Sequence, residues 1–98
     1  MEFTSKQRSY LKGLASTEDA IFQIGKSSVT PQMVQAVSDA LEKRELIKIS
    51  VLKNCMDDPR ELAELMAERT RSNVVIVIGK KIVLYRPNKK HPKIVLPK

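Results

Sequence analysis

Two short strings, Thr30-Pro31 and Asp58-Pro59, divide this sequence of 98 residues into alternating strand and helix segments. In each string a residue that can cap a helix precedes a proline, and proline is well tolerated at the first helical position. Apolar residues recur at helical spacing after each string, and the segments before them, 20–24 and 46–53, have strand patterns. Alternating strands and helices favour an α/β fold with right-handed crossovers between parallel strands.

The two ends of the sequence complete the predicted order αβαβαββ. Thr4 and Gln7 have the spacing of a capping box, which predicts a first helix from Thr4 to Ala15. Near the other end, apolar runs at 74–78 and 82–84 surround a Gly-Lys-Lys string, which predicts a hairpin. Five consecutive apolar residues favour a strand that is covered on both faces. We therefore expect one two-layer α/β domain over residues 1–98, with a four-stranded mixed sheet.

The charge of the chain is unevenly placed. Eighteen Lys and Arg residues against eleven Asp and Glu give a net charge of +7, and residues 72–98 contain no acid at all. Such an excess indicates a surface that faces a polyanion, although a solubility charge with a loose basic tail is the alternative. The tail begins at about residue 87 and contains a short apolar patch, Ile94-Val95-Leu96. The sequence leaves open whether this patch forms an edge strand or lies on the surface.

Several classes of function find no support in the residues. Cys55 and His91 are the only cysteine and the only histidine, so neither a disulfide nor a Cys/His metal cluster can form within the chain. Gly25-Lys26-Ser27 matches the end of a P-loop, but Ala20 stands where that motif requires glycine. No apolar run is long enough to span a membrane, and residues 1–13 resemble no signal peptide. We expect a cytoplasmic monomer without catalysis, metal or cofactor.

The loop 25–28 precedes the second helix and has a composition that suits an anion. Gly25 lets a phosphate approach the backbone, Lys26 adds a positive charge, and Ser27 and Ser28 add hydroxyl donors at a helix N-terminus. Small polar turns are also common for backbone reasons alone, so the loop gains weight only from basic residues elsewhere. Arg8 and Lys12 lie four residues apart on the first helix, where like charges repel unless an anion binds.

Five strings taken together resemble a known family. They are Lys6-Gln7-Arg8, Ile24-Gly25-Lys26, Glu45-Leu46-Ile47-Lys48, Ile78-Gly79-Lys80 and Leu84-Tyr85-Arg86-Pro87. Their order along the chain resembles the CRM domain, most closely the stand-alone bacterial YhbY-like proteins. The resemblance implies an RNA-binding domain related to KH folds and to the C-terminal domain of translation initiation factor three. It also implies an association with ribosomal RNA in precursors of the large ribosomal subunit.

The resemblance implies a phosphate-clamping loop of G-x-x-G pattern, in which Ser28 replaces the second glycine. A positive φ there would strain serine by roughly 1 kcal/mol or more, so the loop either keeps that conformation under strain or adopts another. Only Tyr10 and Tyr85 could stack on bases, which favours recognition of RNA backbone and shape. The predicted RNA-binding residues are Lys6, Arg8, Lys12, Gly25, Lys26, Ser27, Ser28, Lys80, Lys81, Arg86, Lys89 and Lys90.

A protein-interaction module is the alternative function. Its basic face would dock on an acidic protein, and the patch at 94–96 would supply the apolar contact that such docking needs.

Overall fold

A computed structural model describes residues 2–98 and contains three helices and four strands in the predicted order. The helices are α1 (Ser5–Ser16), α2 (Pro31–Arg44) and α3 (Pro59–Thr70). The strands are β1 (Phe22–Ile24), β2 (Leu46–Val51), β3 (Asn73–Ile78) and β4 (Lys81–Tyr85). The α/β class with a four-stranded mixed sheet is confirmed. No helix within residues 2–98 is long and apolar enough to cross a membrane.

Local capping explains where the helices begin. Thr4 and Gln7 form the predicted capping box, with both hydrogen bonds at 3.1 Å. Thr30 Oγ1 accepts a hydrogen bond from the Met33 amide, and Asp58 Oδ1 accepts one from the Arg60 amide. These bonds satisfy amides of the first turn that have no partner inside the helix.

The strand order in the sheet is β1-β2-β4-β3. β1 and β2 are parallel, as the crossover through α2 predicts, whereas β4 is antiparallel to both of its neighbours. The predicted hairpin therefore inserts its second strand between β2 and β3. Gly79, at a φ of +57°, forms the tight turn that allows this reversal.

Helices pack on both faces of the sheet. α2 and α3 cover one face, where the side chains of Ile47, Ile49 and Leu84 form part of the larger apolar core. α1 lies on the opposite face, where Leu11 packs in a smaller cluster with Tyr85. The domain thus has a third, partial layer in addition to the two that were predicted. The sequence did not reveal this layer, because the amphipathic pattern of α1 does not show which face of the sheet the helix covers.

β3 is covered on both faces, as its apolar run predicts, although it is an edge strand. Val74 and Val77 pack against the larger core, while Val75 and Ile76 belong to the smaller cluster. A register shift between Val74 and Ile76 accompanies this change of face. Coverage ends at Ile78, which is 60% exposed beside the hairpin turn.

The C-terminal segment lies on the surface and forms no strand. The buried carboxylate of Glu45 accepts hydrogen bonds from the amides of Asn88 (2.7 Å), Lys93 (2.5 Å) and Ile94 (2.8 Å). Ile94 and Leu96 then pack against the smaller cluster. We refer to these three bonds as the Glu45 clamp. The tail is therefore an attached part of the domain, and of the two placements left open for the patch at 94–96 the structure has the one on the surface.

Candidate nucleic-acid interface

One end of the sheet brings three loops together. The parallel strands β1 and β2 both end there, and the turn of the β3–β4 hairpin lies beside them. The Leu52 amide donates to the Ile24 carbonyl at 2.8 Å, and the Val51 amide donates to the Lys80 carbonyl at 2.7 Å. We call this edge, formed by residues 25–28, 52–57 and 79–81, the loop end. It brings Lys26 and the hairpin lysines Lys80 and Lys81 to one side of the domain.

The 25–28 loop keeps the left-handed conformation that the G-x-x-G pattern requires. Ser28 has a φ of 57°, and its amide donates to the Gly25 carbonyl at 2.9 Å. Its hydroxyl donates to Asp57 Oδ2 at 2.5 Å. Of the two conformations considered above, the structure therefore has the strained one. The hydrogen bond to Asp57 helps to hold serine there, and it also occupies the hydroxyl that was expected to face a phosphate.

The remaining donors of this loop are fewer than the sequence suggested. Pro31 has no amide hydrogen, and Thr30 occupies that of Met33, so the first turn of α2 offers less to an anion than an uncapped helix. The space around residue 25 does not require glycine, because an added Cβ would lie 3.5 Å from Asn54 Oδ1, an ordinary van der Waals distance. Lys26 and Ser27 are both exposed and are the free polar groups of the loop.

α1 provides a second basic element. Lys6, Arg8 and Lys12 are exposed on this helix, which contains no acidic residue. The Arg8 guanidinium carbon lies 5.6 Å from the centre of the Phe3 ring, so a cation–π contact holds its position. Lys12 lies over the sheet near Lys81, whose ammonium donates to Ser50 Oγ at 3.0 Å. The helix and the hairpin thus present cations on the same face.

Arg86 has a different role from these residues. Its guanidinium donates to the Ser38 carbonyl at 2.7 Å, the Thr70 carbonyl at 2.8 Å and Ser38 Oγ at 3.1 Å, and it pairs with Glu42 at 3.4 Å. The side chain is only 19% exposed. Arg86 therefore joins β4 to α2 and α3, and most of its donors are used inside the domain.

Lys89 and Lys90 lie at the opposite end of the sheet. They line an open cleft with Arg71, beyond the C-terminal end of β4. A strand of this length spans about 17 Å, so the tail lysines do not form one compact site with Lys80 at the start of that strand. The predicted residues therefore divide into a group on α1 and the loop end and a separate group at the tail.

Most of the lysine and arginine side chains within residues 2–98 form no ion pair with an acidic side chain. Within residues 2–98 the one ion pair is Arg86 with Glu42, although the chain has eighteen Lys and Arg residues. The acids Glu61, Glu64 and Glu68 are exposed on α3, which packs on the other face of the sheet from α1. The sheet thus separates a cationic α1 face from a face that carries acids.

Aromatic stacking is even more limited than the composition indicated. Tyr85 is 2% exposed and packs against Phe3, with ring centres 6.0 Å apart, so its proposed availability to bases is wrong. Burial, and to a lesser extent the charge of Glu45, raises the pKa of the Tyr85 phenol above its ordinary value of 10.0. Tyr10 is 42% exposed.

Two residues of this region were missed at the level of sequence. Lys48 lies in the middle of β2 on the α1 face, and alternation with Ile47 and Ile49 already placed it on the face opposite the main core. Glu45 holds the tail through contacts 43 to 49 residues away in sequence, which no local pattern reveals. Within residues 2–98 no cluster of His, Cys, Asp or Glu could hold a metal ion.

Comparison with known proteins gives matches along nearly the whole chain. The model of the CRS1/YhbY (CRM) domain matches residues 3–86. "Probable RNA-binding protein YqeI" of Bacillus subtilis is 44% identical over 94 residues, which cover 96% of this chain and 98% of the relative. An "RNA-binding protein" of Haemophilus influenzae is 30% identical over 95 residues, covering 97% and 95%.

A solved structure has the same fold. The solution structure of a hypothetical Staphylococcus aureus protein, presented as a candidate RNA-binding protein, superimposes with a TM-score of 0.81 at 50% identity. The match covers 98% of this chain and all of that one. The family match and the near full-length relatives lead to one conclusion: the chain belongs to the CRS1/YhbY (CRM) domain family.

Proposed function

We propose that this protein binds structured RNA through phosphate contacts and that its target is ribosomal RNA in precursors of the large subunit. The observation that carries the proposal is the unpaired positive charge on α1 and the loop end, within a chain that has one ion pair over residues 2–98. Phosphate contacts from Lys and Arg supply most of the sequence-independent affinity of nucleic-acid-binding proteins.

The proposed interface comprises two groups of residues. Lys6, Arg8 and Lys12 of α1 contact neighbouring phosphates, and the loop end contributes Lys26, Lys80 and Lys81 together with Gly25 and Ser27. Ser28, whose amide and hydroxyl are both used within the protein, shapes the loop. Lys89 and Lys90 extend the footprint at the far end of the sheet. Arg86 acts indirectly, because its hydrogen bonds position the tail-side end of β4.

The relatives support the RNA part of this proposal. The Bacillus subtilis and Haemophilus influenzae proteins are named as RNA-binding. We propose a binding role without catalysis, carried out by a monomer in the cytoplasm. The choice of ribosomal RNA rests on the resemblance to the bacterial YhbY-like proteins.

A salt titration tests the binding mode. If five lysines or arginines contact phosphate, affinity for a ribosomal RNA fragment falls about a hundredfold between 50 and 200 mM salt, at the log–log slope of about −0.7 per contact that applies to single-stranded RNA. Fluorescence anisotropy with a labelled fragment measures this slope. A slope near zero contradicts a phosphate-dominated interface.

The target is tested by fractionating cell extracts. We expect the protein to sediment with precursors of the large subunit and to leave those fractions after ribonuclease treatment. Retention after ribonuclease treatment would favour docking on an acidic protein. The structure reduces the support for that alternative, since Ile94 and Leu96 pack against the domain and only Val95 of the apolar patch is highly exposed, at 80%.

A further inference from the structure

α1 leaves part of its sheet face uncovered, and a groove of about 290 Å³ remains between this helix and the β3–β4 hairpin. The floor consists of Ile76, Ile78 and Val83. Lys12, Lys48 and Lys81 surround it, and none of the residues that line the groove is acidic. We call this the lysine-rimmed groove.

Strand register determines the arrangement of these side chains. Lys48 is paired with Val83, which is paired with Ile76. In the next row on the same face, Lys81 is paired with Ile78. Lys48 and Lys81 are diagonal neighbours on adjacent strands, with side chains about 7 Å apart. Two cations are thus set on a rigid sheet directly beside an apolar floor.

One cation of the groove, Lys81, is positioned by a hydrogen bond within the protein. The Lys81 ammonium donates to Ser50 Oγ at 3.0 Å, which directs it along the sheet surface. Lys12 and Lys48 have no ion pair within residues 2–98. Like charges this close repel each other when no anion lies between them. An anion with an apolar part would relieve the repulsion and cover the floor.

We propose that the lysine-rimmed groove receives one unpaired nucleotide of the RNA. The base lies on Ile76, Ile78 and Val83, and the phosphates on either side of it contact Lys12, Lys48 and Lys81. This inference rests on the proposed function and names the element of RNA structure that is recognised. Bases extruded from a helix are commonly held against apolar side chains. A duplex, whose bases stay stacked, offers only phosphates to the same rim.

The surroundings favour a nucleotide over an acidic peptide. The groove adjoins Lys80 of the hairpin turn and therefore continues the surface already assigned to phosphates. Its floor is aliphatic, and the Ser16 hydroxyl at its edge already donates to the Gly13 carbonyl at 2.7 Å. Recognition here accepts any base, because few free polar groups are left to read its edge.

The test compares two RNA hairpins that differ by one bulged nucleotide, in which 2-aminopurine reports stacking by its fluorescence. Wild-type protein is expected to bind the bulged hairpin about tenfold more tightly and to change the fluorescence of the bulged base. Ile78→Ser, at a residue that is 60% exposed, is expected to reduce affinity for the bulged hairpin by about fivefold to tenfold. Its affinity for the duplex and its salt slope stay unchanged.

One control variant and one variant of the rim keep the result interpretable. Val95→Ser changes an apolar residue that is 80% exposed outside the groove, and it should leave both affinities unchanged. Lys48→Gln should lower affinity and reduce the salt slope by about one contact. All variants are compared by melting temperature first, so that loss of the fold is recognised.

Three results would overturn the proposal. The first is equal affinity of wild type for the two hairpins, and the second is an Ile78→Ser effect that is the same for both. The third is binding of an acidic leucine-containing peptide that depends on Ile78 and Lys48, without preference for the bulged hairpin. If both hairpins still bind in a salt-dependent manner, the proposed function stands and only the groove proposal fails. If neither hairpin binds, the proposed function itself is contradicted.

Discussion

The two faces of the sheet differ in how completely helices cover them. On one face two helices cover the strands, and the core there includes Leu41, Met66 and Ile82, all fully buried. On the other face the single helix α1 covers only part of the sheet and leaves the lysine-rimmed groove open. The acids of α3 are on the first side, while α1 has bases and no acid. The larger core thus lies on one face, while the other keeps an open groove with lysines at its rim.

The Glu45 clamp connects the two faces of the sheet. Glu45 directly follows α2 on one face, and it binds the tail, which packs beside α1 on the other. Glu45→Ala removes a carboxylate that accepts three backbone hydrogen bonds. We expect the free energy of unfolding to fall by about 3 kcal/mol, since hydrogen bonds to charged groups contribute about 1.5–3 kcal/mol each and the freed amides regain water. Urea denaturation measures the loss.

Glu64→Ala, at an exposed position on α3, is the matched control and should change stability by less than about 0.5 kcal/mol. A similar small effect for Glu45→Ala would show that the tail is not held by this carboxylate.

Charge reversal tests the difference between the faces directly. Lys12→Glu places an acid on the α1 face, and Arg69→Glu makes the same change on the exposed surface of α3. We expect the first to weaken RNA binding by about thirtyfold, because it removes one phosphate contact and adds repulsion, and the second by less than about threefold. Anisotropy titrations at one salt concentration provide the comparison. Equal losses would mean that both faces contribute only a diffuse field.

A smaller effect should separate the loop end from the tail. Lys26→Ala is expected to reduce affinity by about fivefold and Lys89→Ala by about twofold, although each removes one cation and should flatten the salt slope by about one contact. The clamp and the Asn88 side chain, which accepts from the Lys90 amide at 3.0 Å, hold the tail. The expected difference therefore comes from the distance between the two ends and not from ordering of the tail. Equal losses of affinity for Lys26→Ala and Lys89→Ala would show that the 25–28 loop contributes no more to binding than the tail does.

The smallest effect is expected at the loop itself. Ser28→Gly relieves a left-handed serine, worth roughly 1 kcal/mol, but removes the hydrogen bond to Asp57, worth about the same. Stability should change by less than about 1 kcal/mol, and RNA affinity should stay equal or improve if the loop clamps a phosphate. Ser27→Gly, next to it, is the control for added flexibility. A clear loss of affinity for Ser28→Gly alone would assign the hydroxyl a direct role.

Local signals explain how much of the fold could be predicted from the sequence. Thr30-Pro31 and Asp58-Pro59 act through hydrogen bonds within a few residues, so the helix starts were predictable from those residues alone. The hairpin was predictable for the same reason, because Gly79 can adopt a positive φ. The face occupied by α1 was not, since an apolar stripe shows that a helix packs but not on what.

The residues of the candidate site could be predicted only where a basic side chain is exposed and makes no contacts with distant parts of the chain. Lys12 and Lys26 are exposed, as an unbalanced positive charge suggests. Arg86 has the same charge, but bonds to Ser38 and Thr70, distant in sequence, assign it to the domain's interior contacts. Lys48 was overlooked because a single lysine in an apolar strand gives no sign of the cations beside it in space.

We propose that RNA binds on the α1 face and at the loop end. The most direct test is to follow the backbone amide chemical shifts of the ¹⁵N-labelled protein by NMR while the bulged RNA hairpin is added at low salt. We expect the largest changes in α1, at residues 25–28 and 48–50, and at the hairpin turn 78–81, with α3 unchanged. Largest changes along α3, or changes spread evenly over both faces of the sheet, would contradict it.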